Sequence, residues 1–358
     1  MWLEKRSERS ATMAIASPFI AFALTVVTAA IIFALRGNNP FMALYVYFIE
    51  PLTALWSIEQ TLVKASPLIL IGAGLSVAYR ANVWNIGAEG QLTAGAILAG
   101  AVPVFFPAWQ SPLTLLAMLL LGIFGGMLWA AIPAALRNRF NANEILTSLM
   151  LVYVAQLFLD YLVRGPWRDP MGFNFPKTIS FTGWQTLPYL TSGIHVGVLL
   201  SVLIALALGL VMSRTLKGFE IAVTGQSPRA ARFAGFSQKS TVMFCFLLSG
   251  ALAGLAGAFE ISSVVGQLQP QISPGYGFAA IIVAFLGRLN PIGVIFAGLL
   301  LALSYIGGEA VQTALQIPDK ITRVIQGILL FYILACDTLI SSRLVMGGKT
   351  AQSSARSA

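Results

Sequence analysis

Long apolar runs separated by short polar connections recur along the whole chain. A helix needs about 20 apolar residues to cross the hydrocarbon core of a bilayer, and every backbone polar group must be hydrogen-bonded within the protein there. The sequence therefore predicts an all-α, polytopic membrane helix bundle with about ten transmembrane helices. The predicted spans cover residues 13–35, 66–80, 87–107, 113–136, 145–163, 195–214, 241–262, 277–287, 292–309 and 321–341.

Composition excludes a soluble globular domain. Hydrophobic residues make up 57% of the 358 residues and charged residues only 10%, whereas a soluble domain carries about a quarter charged residues. The first run, 13–35, exceeds the roughly 7–15 apolar residues of a signal-peptide core, so we expect a retained span. Cleavage near the small residues Thr28, Ala29 and Ala30 is the alternative.

Two apolar runs, the second and the eighth, are short and contain glycine. Segments 66–80 and 277–287 predict short or broken helices, which a membrane tolerates only where their backbone lines a cavity or is buried in protein. We expect a pathway through the protein beside them. In segment 40–64, apolar residues recur every three or four positions, which predicts an amphipathic helix in the membrane interface.

Paired glycines indicate how helices pack. Gly122 and Gly126 form one GxxxG pair, and Gly250 and Gly254 form another. Small residues let helix backbones approach closely inside a membrane. We expect packing within the chain, with a dimer seam as the alternative.

The net charge of +9 does not indicate a nucleic-acid partner. Lys and Arg stand singly or in small groups between apolar runs, without the basic stripe and aromatic face of a nucleic-acid binder. If the N-terminus is cytoplasmic, about two-thirds of the 22 basic residues fall in inside loops, as the positive-inside rule requires. The pattern predicts that both termini are cytoplasmic.

The chain offers little for metal or nucleophilic chemistry. Cys245 and Cys336 lie in apolar runs without metal-ligand spacing, and His195 is the only histidine. We therefore expect no cofactor, metal site or disulfide, and no enzymatic activity.

The connection between the sixth and seventh spans, residues 215–240, has the pattern of an ordered element. Ser227 followed by Pro228 is a favourable N-cap and first-turn pair, and Gly235 suits the position after a helix C-terminus. A short helix over 229–234 would present small residues with flanking basic and aromatic side chains. These residues are Arg229, Ala230, Ala231, Arg232, Phe233 and Ala234. Such a surface suits docking into a groove on another protein.

Two motifs carry a resemblance to a known family. Gly225, Ala230, Ala231 and Gly235 resemble the coupling-helix signature of ABC importer permeases. The stretch Asn-Val-Trp-Asn-Ile-Gly-Ala-Glu-Gly-Gln at 82–91 resembles the branch that imports nucleosides and simple sugars, which is related to the ribose and branched-chain amino acid permeases. The likeness extends over residues 60–340, although relatives often have Ala-Leu-Leu-Gly where this chain has Ala-Phe-Leu-Gly at 284–287.

The resemblance implies a permease of the bacterial inner membrane that works by alternating access. It implies three protein partners: an ABC ATPase subunit, a second permease subunit that is a paralogue rather than a copy, and an extracytoplasmic substrate-binding protein. The chain has no GxxxxGK[ST] phosphate loop, so ATP hydrolysis would belong to the partner. The expected ATPase-coupling residues are Gly225, Ser227, Pro228, Arg229, Ala230, Ala231, Arg232, Phe233 and Gly235.

The 82–91 stretch supplies the candidate pathway residues. They are Asn82, Trp84, Asn85, Gly87, Glu89, Gly90 and Gln91. In one interpretation Glu89 and the neighbouring amides hydrogen-bond a polar solute in transit; in the other, Glu89 and Gln91 fix the helix break at Gly87 and Gly90. Trp84 could stack on a ring of the solute or anchor the chain at the interface. Outer-loop residues Gln267, Gln269, Gln271 and Tyr276 could contact the solute or the binding protein.

The substrate class and the energy source remain open at this stage. A pathway with amides, an indole and one carboxylate suits a neutral polar solute such as a nucleoside, nucleobase or simple sugar. An ion-coupled secondary transporter is the alternative, but it would need several intramembrane carboxylates. We expect one permease domain over 1–358, with a cytoplasmic N-terminus at 1–12, a coupling loop at 215–240 and a flexible tail at 343–358.

Overall fold

A computed structural model describes residues 2–5, 11–191, 193–318 and 320–345, and most of these residues are helical. The α-helices are α1 (Ala11–Leu35), α2 (Pro40–Phe48), α3 (Leu55–Arg80), α4 (Ala88–Phe105), α5 (Pro112–Phe140), α6 (Glu144–Arg164), α7 (Val196–Arg214), α8 (Leu216–Gln226), α9 (Pro228–Phe233), α10 (Gln238–Phe259), α11 (Tyr276–Leu286), α12 (Pro291–Leu315) and α13 (Lys320–Ser341). Short 3₁₀ turns occupy Glu50–Leu52 and Gly183–Gln185, and a π-helix, Glu260–Val264, continues α10. Two strands, β1 (Trp2–Lys5) and β2 (Ser342–Val345), pair antiparallel.

Eight helices within the described residues are long and apolar enough to cross a membrane. These are α1, α3, α4, α5, α6, α7, α10 with its π-helical extension, and α12. The predicted polytopic helix bundle is therefore confirmed, whereas the count of about ten is not. The predicted short eighth segment is confirmed, because α11 has only 11 residues.

The second predicted segment, 66–80, is not short. It is the last part of α3, a continuous helix of 26 residues. The polar residues that interrupt the apolar pattern do not end the helix, because they have partners: Lys64 is ion-paired with Glu309 at 2.7 Å, and Thr191 Oγ1 donates to Glu59 Oε1 at 3.2 Å. The predicted interfacial helix over 40–64 is wrong for the same reason, since its second half belongs to α3.

The chain divides into two compact units. One comprises Met1–Leu44 and Pro318–Ala358, and the other is Tyr45–Ile317. In the first unit α1 packs against α13, and Thr28 Oγ1 lies 2.9 Å from the hydroxyl of Tyr332. Parts of the predicted N-terminal segment 1–12 and tail 343–358 lie outside the described residues.

Helices α3, α4, α5 and α10 form the centre of the Tyr45–Ile317 unit. The two GxxxG pairs meet where α5 crosses α10: a Cβ on Gly126 would collide with the carbonyl oxygen of Gly250, and one on Gly254 would collide with that of Gly122. The glycines therefore pack helices within the chain, as predicted. The contact brings the backbones of α5 and α10 together where no hydrophobic drive exists between helices.

We expect Gly254→Leu to destabilise the protein, because α5 and α10 would have to separate. Overpacking of this kind costs about 1–3 kcal/mol, so the thermal unfolding midpoint of detergent-purified protein should fall by several degrees or the protein should not accumulate. Gly327→Leu is the matched control, since Gly327 is a helical glycine with no atom within 4 Å of its would-be Cβ. Equal midpoints for the two variants would contradict the packing described above.

Candidate functional site

The turn between α3 and α4 is held by a pair of side-chain amides. Asn85 Nδ2 donates to Gln91 Oε1 at 2.9 Å, and Gln91 Nε2 donates back to Asn85 Oδ1 at 3.0 Å. Asn85 Nδ2 also donates to Ser249 Oγ on α10 at 3.0 Å, while Asn85 Oδ1 accepts from the backbone N–H of Gly87 at 3.0 Å. Both donors and both acceptor positions of Asn85 are therefore occupied, which favours the structural interpretation of these two buried residues.

Gly87 and Gly90 let the start of α4 approach α6. A Cβ on Gly87 would lie 2.8 Å from the carbonyl oxygen of Ser148, and one on Gly90 would lie 2.9 Å from Cα of Val152. Ser148 Oγ also accepts from the backbone N–H of Ile86 at 3.2 Å. The two glycines thus fix the position of α4 by close backbone contact.

Glu89 joins the N-termini of α4 and α11. Its carboxylate lies in the first turn of α4 and is only 3% exposed, and Oε2 accepts from the backbone N–H of Gly277 in the first turn of α11 at 2.6 Å. A carboxylate near a helix N-terminus is stabilised by the free N–H groups and the helix dipole. Glu89 therefore pins a neighbouring helix, whereas the structural interpretation from sequence had it pin its own turn.

Trp84 packs in an aromatic cluster at the α9 end of the unit. Its ring lies 5.2 Å from Tyr79 and 6.2 Å from Phe285, measured between centroids, and Tyr79 and Phe285 stack at 5.5 Å. Trp84 Nε1 donates to Oδ1 of the exposed Asn82 at 2.9 Å. The cluster fills the space between the end of α3 and the end of α11.

The expected short helix after Ser227 is present as α9. Ser227 is its N-cap and accepts from the backbone N–H of Ala230 at 3.4 Å, Pro228 is the first helical residue, and Gly235 follows the helix with a φ of +82°. Phe233 is 92% exposed. Arg229, Ala230 and Arg232 are also exposed. Ala231, which we expected on the surface, is buried because it faces back toward the rest of the unit.

Helix α8, which we did not predict, connects α9 to the bundle. Thr241 Oγ1 on α10 donates to Glu220 Oε1 at 2.7 Å, and Lys217 Nζ donates to both carboxylate oxygens of Glu220 at 3.0 Å. Partial burial raises the pKa of Glu220, but the hydrogen bonds from Thr241 and Lys217 outweigh it, so the pKa lies below its usual value. A Cβ on Gly225 would collide with the carbonyl oxygen of Arg80 at the end of α3. Helix α8 is thus braced against both α3 and α10.

A buried carboxylate that we did not single out from the sequence lies at the opposite end of α10. Glu260 opens the π-helix, is 5% exposed, and lines a cavity of about 300 Å³. The polar residues around this cavity are Gln60, Lys64, Glu260, Gln271, Ser273 and Tyr276. The sequence did contain a signal, because an acidic residue inside the apolar run 241–262 is costly unless it has a function.

The outer-loop glutamines divide between two environments. Gln271 and Tyr276 line the cavity. Gln267 Oε1 instead accepts from Ser180 Oγ at 3.4 Å, and Gln269 Nε2 donates to the backbone of Gln271 at 3.1 Å. Among the described residues, no group of three or more His, Cys, Asp or Glu side chains could hold a metal ion.

Comparison with known proteins gives a family and several relatives. Residues 57–334 match the family model described as branched-chain amino acid transport system / permease component. The glucose ABC transporter permease protein TsgB13 of Haloferax volcanii is 37% identical, over 94% of this chain and 91% of that protein. The guanosine ABC transporter permease protein NupP of Bacillus subtilis is 29% identical, over 92% of this chain and 95% of that protein. The nucleoside ABC transporter permease protein NupB of Lactococcus lactis is 28% identical, over 88% of this chain and 89% of that protein.

We expect Asn85→Leu to destabilise the protein by about 2–3 kcal/mol, because it leaves the buried amide of Gln91 without its partner. Adding Gln91→Leu should recover part of that loss, since removing both partners is cheaper than removing one. Thermal unfolding of the two single variants and the double variant measures this coupling. Gln312→Leu, at an exposed position on α12, is the control; strictly additive losses at Asn85 and Gln91 would argue against the amide pair.

Proposed function

The chain belongs to the family of branched-chain amino acid transport system permease components and is the permease subunit of an ABC importer. We propose that it carries a nucleoside, nucleobase or simple sugar across the membrane. Membership implies an ATPase partner, a substrate-binding protein and a membrane location. It also decides against the ion-coupled secondary transporter that the sequence alone left open. The chain is a transport component and not itself an enzyme.

The solute class rests on the relatives and on the lining of the cavity. The relatives are named for glucose, guanosine and nucleosides, which are all small, polar and rich in hydrogen-bonding groups. The cavity beside Glu260 offers a carboxylate, an ammonium group and two amides to such a molecule. Weak binding there would suit transit, because selectivity in this family resides mainly in the binding protein.

We assign the ATPase-docking role to α9, and the observation that carries it is the nearly complete exposure of Phe233. Its ring stands on a short capped helix, where a partner surface could bury it together with the neighbouring side chains. Exposed Arg229 and Arg232 flank it. Aromatic and arginine side chains are the residue types that most often dominate protein interfaces.

Movement of α9 would reach the pathway through rigid contacts. Helix α8 abuts the end of α3 through Gly225 and is tied to α10 through Glu220. The turn after α3 holds the amide pair of Asn85, which is bonded to α10 through Ser249. Farther from α9, α3 and the π-helical extension of α10 line the cavity of Glu260. A displacement of α9 on nucleotide binding would therefore shift both walls of the pathway together, which is a shear between packed helices.

The α9 end of the unit would face the cytoplasm. Basic residues concentrate there, at or near the ends of α3, α5, α7 and α10, as the positive-inside rule requires. They are Arg80, Arg137, Arg139, Arg214 and Lys239. The same rule supports cytoplasmic termini and placement in a bacterial inner membrane. The second permease of the pore would be a paralogue, as the family resemblance implies.

We expect Phe233→Ala to reduce co-purification of the ATPase partner at least tenfold, since loss of an interface anchor costs about 2 kcal/mol or more. Phe173→Ala is the matched control, because Phe173 is also 92% exposed but lies in the connection between α6 and α7, at the other end of the unit. Pull-down from membranes that express all partners gives the measurement. Undiminished ATPase association of the Phe233 variant would refute the docking assignment.

A further inference from the structure

The Glu260 cavity lies at the end of the Tyr45–Ile317 unit that is remote from α9. Helix α10 begins beside α9 and runs away from it to Glu260, and α3 reaches the cavity with Gln60 and Lys64 before it runs to Arg80 beside α8. The cavity therefore opens at the end where a solute would enter if α9 faces the ATPase.

The cavity reaches the junction of α4 and α11. Tyr276 lines the cavity and is the first residue of α11, and the next residue, Gly277, donates its N–H to Glu89 at the start of α4. Binding sites in transporters form where interrupted helices begin in the interior of the protein. The cavity thus ends directly at the element that has to move for a solute to pass.

The π-helix is built to hold Glu260 in this place. A π turn leaves carbonyl groups without the usual amide partner, and such turns are often found at functional sites. Two serine hydroxyls add hydrogen bonds at this turn: Ser262 Oγ donates to the carbonyl of Ala258 at 2.6 Å, and Ser263 Oγ donates to that of Phe259 at 2.6 Å. The backbone N–H of Val265 closes the wide turn on the carbonyl of Glu260 at 3.0 Å.

Hydrogen bonds to the connection before α7 hold the chain on both sides of Val264, a residue that lines the cavity. Thr178 accepts the backbone N–H of Leu268 with Oγ1 at 3.0 Å and donates its own N–H to the carbonyl of Leu268 at 3.0 Å. Leu187 donates its N–H to the carbonyl of Ser262 at 2.8 Å. These bonds anchor the backbone next to the cavity, which limits the ordering that solute binding would require there.

Lys64 adds a donor to the cavity. Its ammonium group is ion-paired with Glu309 at 2.7 Å and lines the cavity together with Glu260. An ammonium group has three donors, so the pair with Glu309 leaves donors for a bound molecule. The carboxyl group of Glu260 offers two oxygens, which only accept when the group is ionised, whereas the protonated group also has one donor.

We propose that this cavity is the solute-receiving site of the permease and that Glu260 binds two adjacent hydroxyl groups of a sugar ring. The two oxygens of a carboxylate can accept two parallel hydrogen bonds from neighbouring donors, as they do from arginine. Lys64 and Gln60 then donate to ring or hydroxyl oxygens. Adjacent hydroxyl groups are common to simple sugars and to the ribose of nucleosides, which explains how one architecture serves both classes. This assignment rests on the proposed solute class.

Uptake by the complete importer, reconstituted with its ATPase and binding protein, tests the proposal. The probes are guanosine with 2′-deoxyguanosine, and glucose with 2,3-dideoxyglucose, and neither deoxy partner has two hydroxyl groups on adjacent ring carbons. Glu260→Gln should reduce uptake of the parent solute at least tenfold and uptake of the deoxy partner by much less. The comparison of the two losses cancels any selectivity of the binding protein, since that protein is the same throughout. Asp160→Asn, at an exposed ion pair with Arg164 on α6, is the control and should change neither uptake.

The outcomes separate this assignment from the proposed function. If the unchanged importer takes up neither guanosine nor glucose, the solute class fails and this assignment fails with it. If it takes up either one and Glu260→Gln leaves that uptake unchanged, or reduces parent and deoxy partner equally, the assignment alone is overturned.

A second measurement does not depend on the folding of a Glu260 variant. Gln60→Cys places a thiol on the cavity wall, while Cys245 and Cys336 are buried. Alkylation of the new thiol by a membrane-impermeant maleimide should slow at least threefold in millimolar transported solute and should not slow in the deoxy partner. No protection by the transported solute would overturn the proposal.

Discussion

The hydrogen bond from the Gly277 N–H to the Glu89 carboxylate is the contact on which the interior of the protein depends. It joins the N-termini of α4 and α11. At membrane depth water cannot satisfy the first N–H groups of a helix. A carboxylate from the neighbouring helix does so and adds a favourable charge at the dipole. Gly277 is required at this point because a Cβ would collide with the backbone of Glu89.

This junction lies between two functional ends of the same unit. On one side lies the cavity of Glu260, and on the other lie the Asn85 amide pair and the aromatic cluster of Trp84. Beyond them α8 connects the ends of α3 and α10 to the exposed Phe233 of α9. The polar groups of the interior thus have two roles. The amides of Asn85 and Gln91 hydrogen-bond each other, whereas polar groups that line the Glu260 cavity are available to a solute.

Local signals in the sequence were sufficient for some elements but not for others. Helix α9 was predicted because its start signal, Ser227, and its stop signal, Gly235, act through the adjacent backbone. The start of α3 was missed because Lys64 is stabilised by Glu309, a residue far away in sequence. Glu260 was missed although an acidic residue inside an apolar run was a signal, because only the π-helix and the cavity show which groups surround it. Tertiary contacts, which no single-sequence pattern contains, decide these cases.

A stability comparison at Glu89 tests the junction of α4 and α11 most directly. Glu89→Gln keeps a carbonyl oxygen that can accept from Gly277, whereas Glu89→Leu keeps the size of the side chain and removes the acceptor. Thermal unfolding of the purified permease should show a small loss for the first variant and a loss of about 2–3 kcal/mol for the second, because a buried N–H is left unsatisfied. Wild-type stability of Glu89→Leu would contradict the role assigned to this bond.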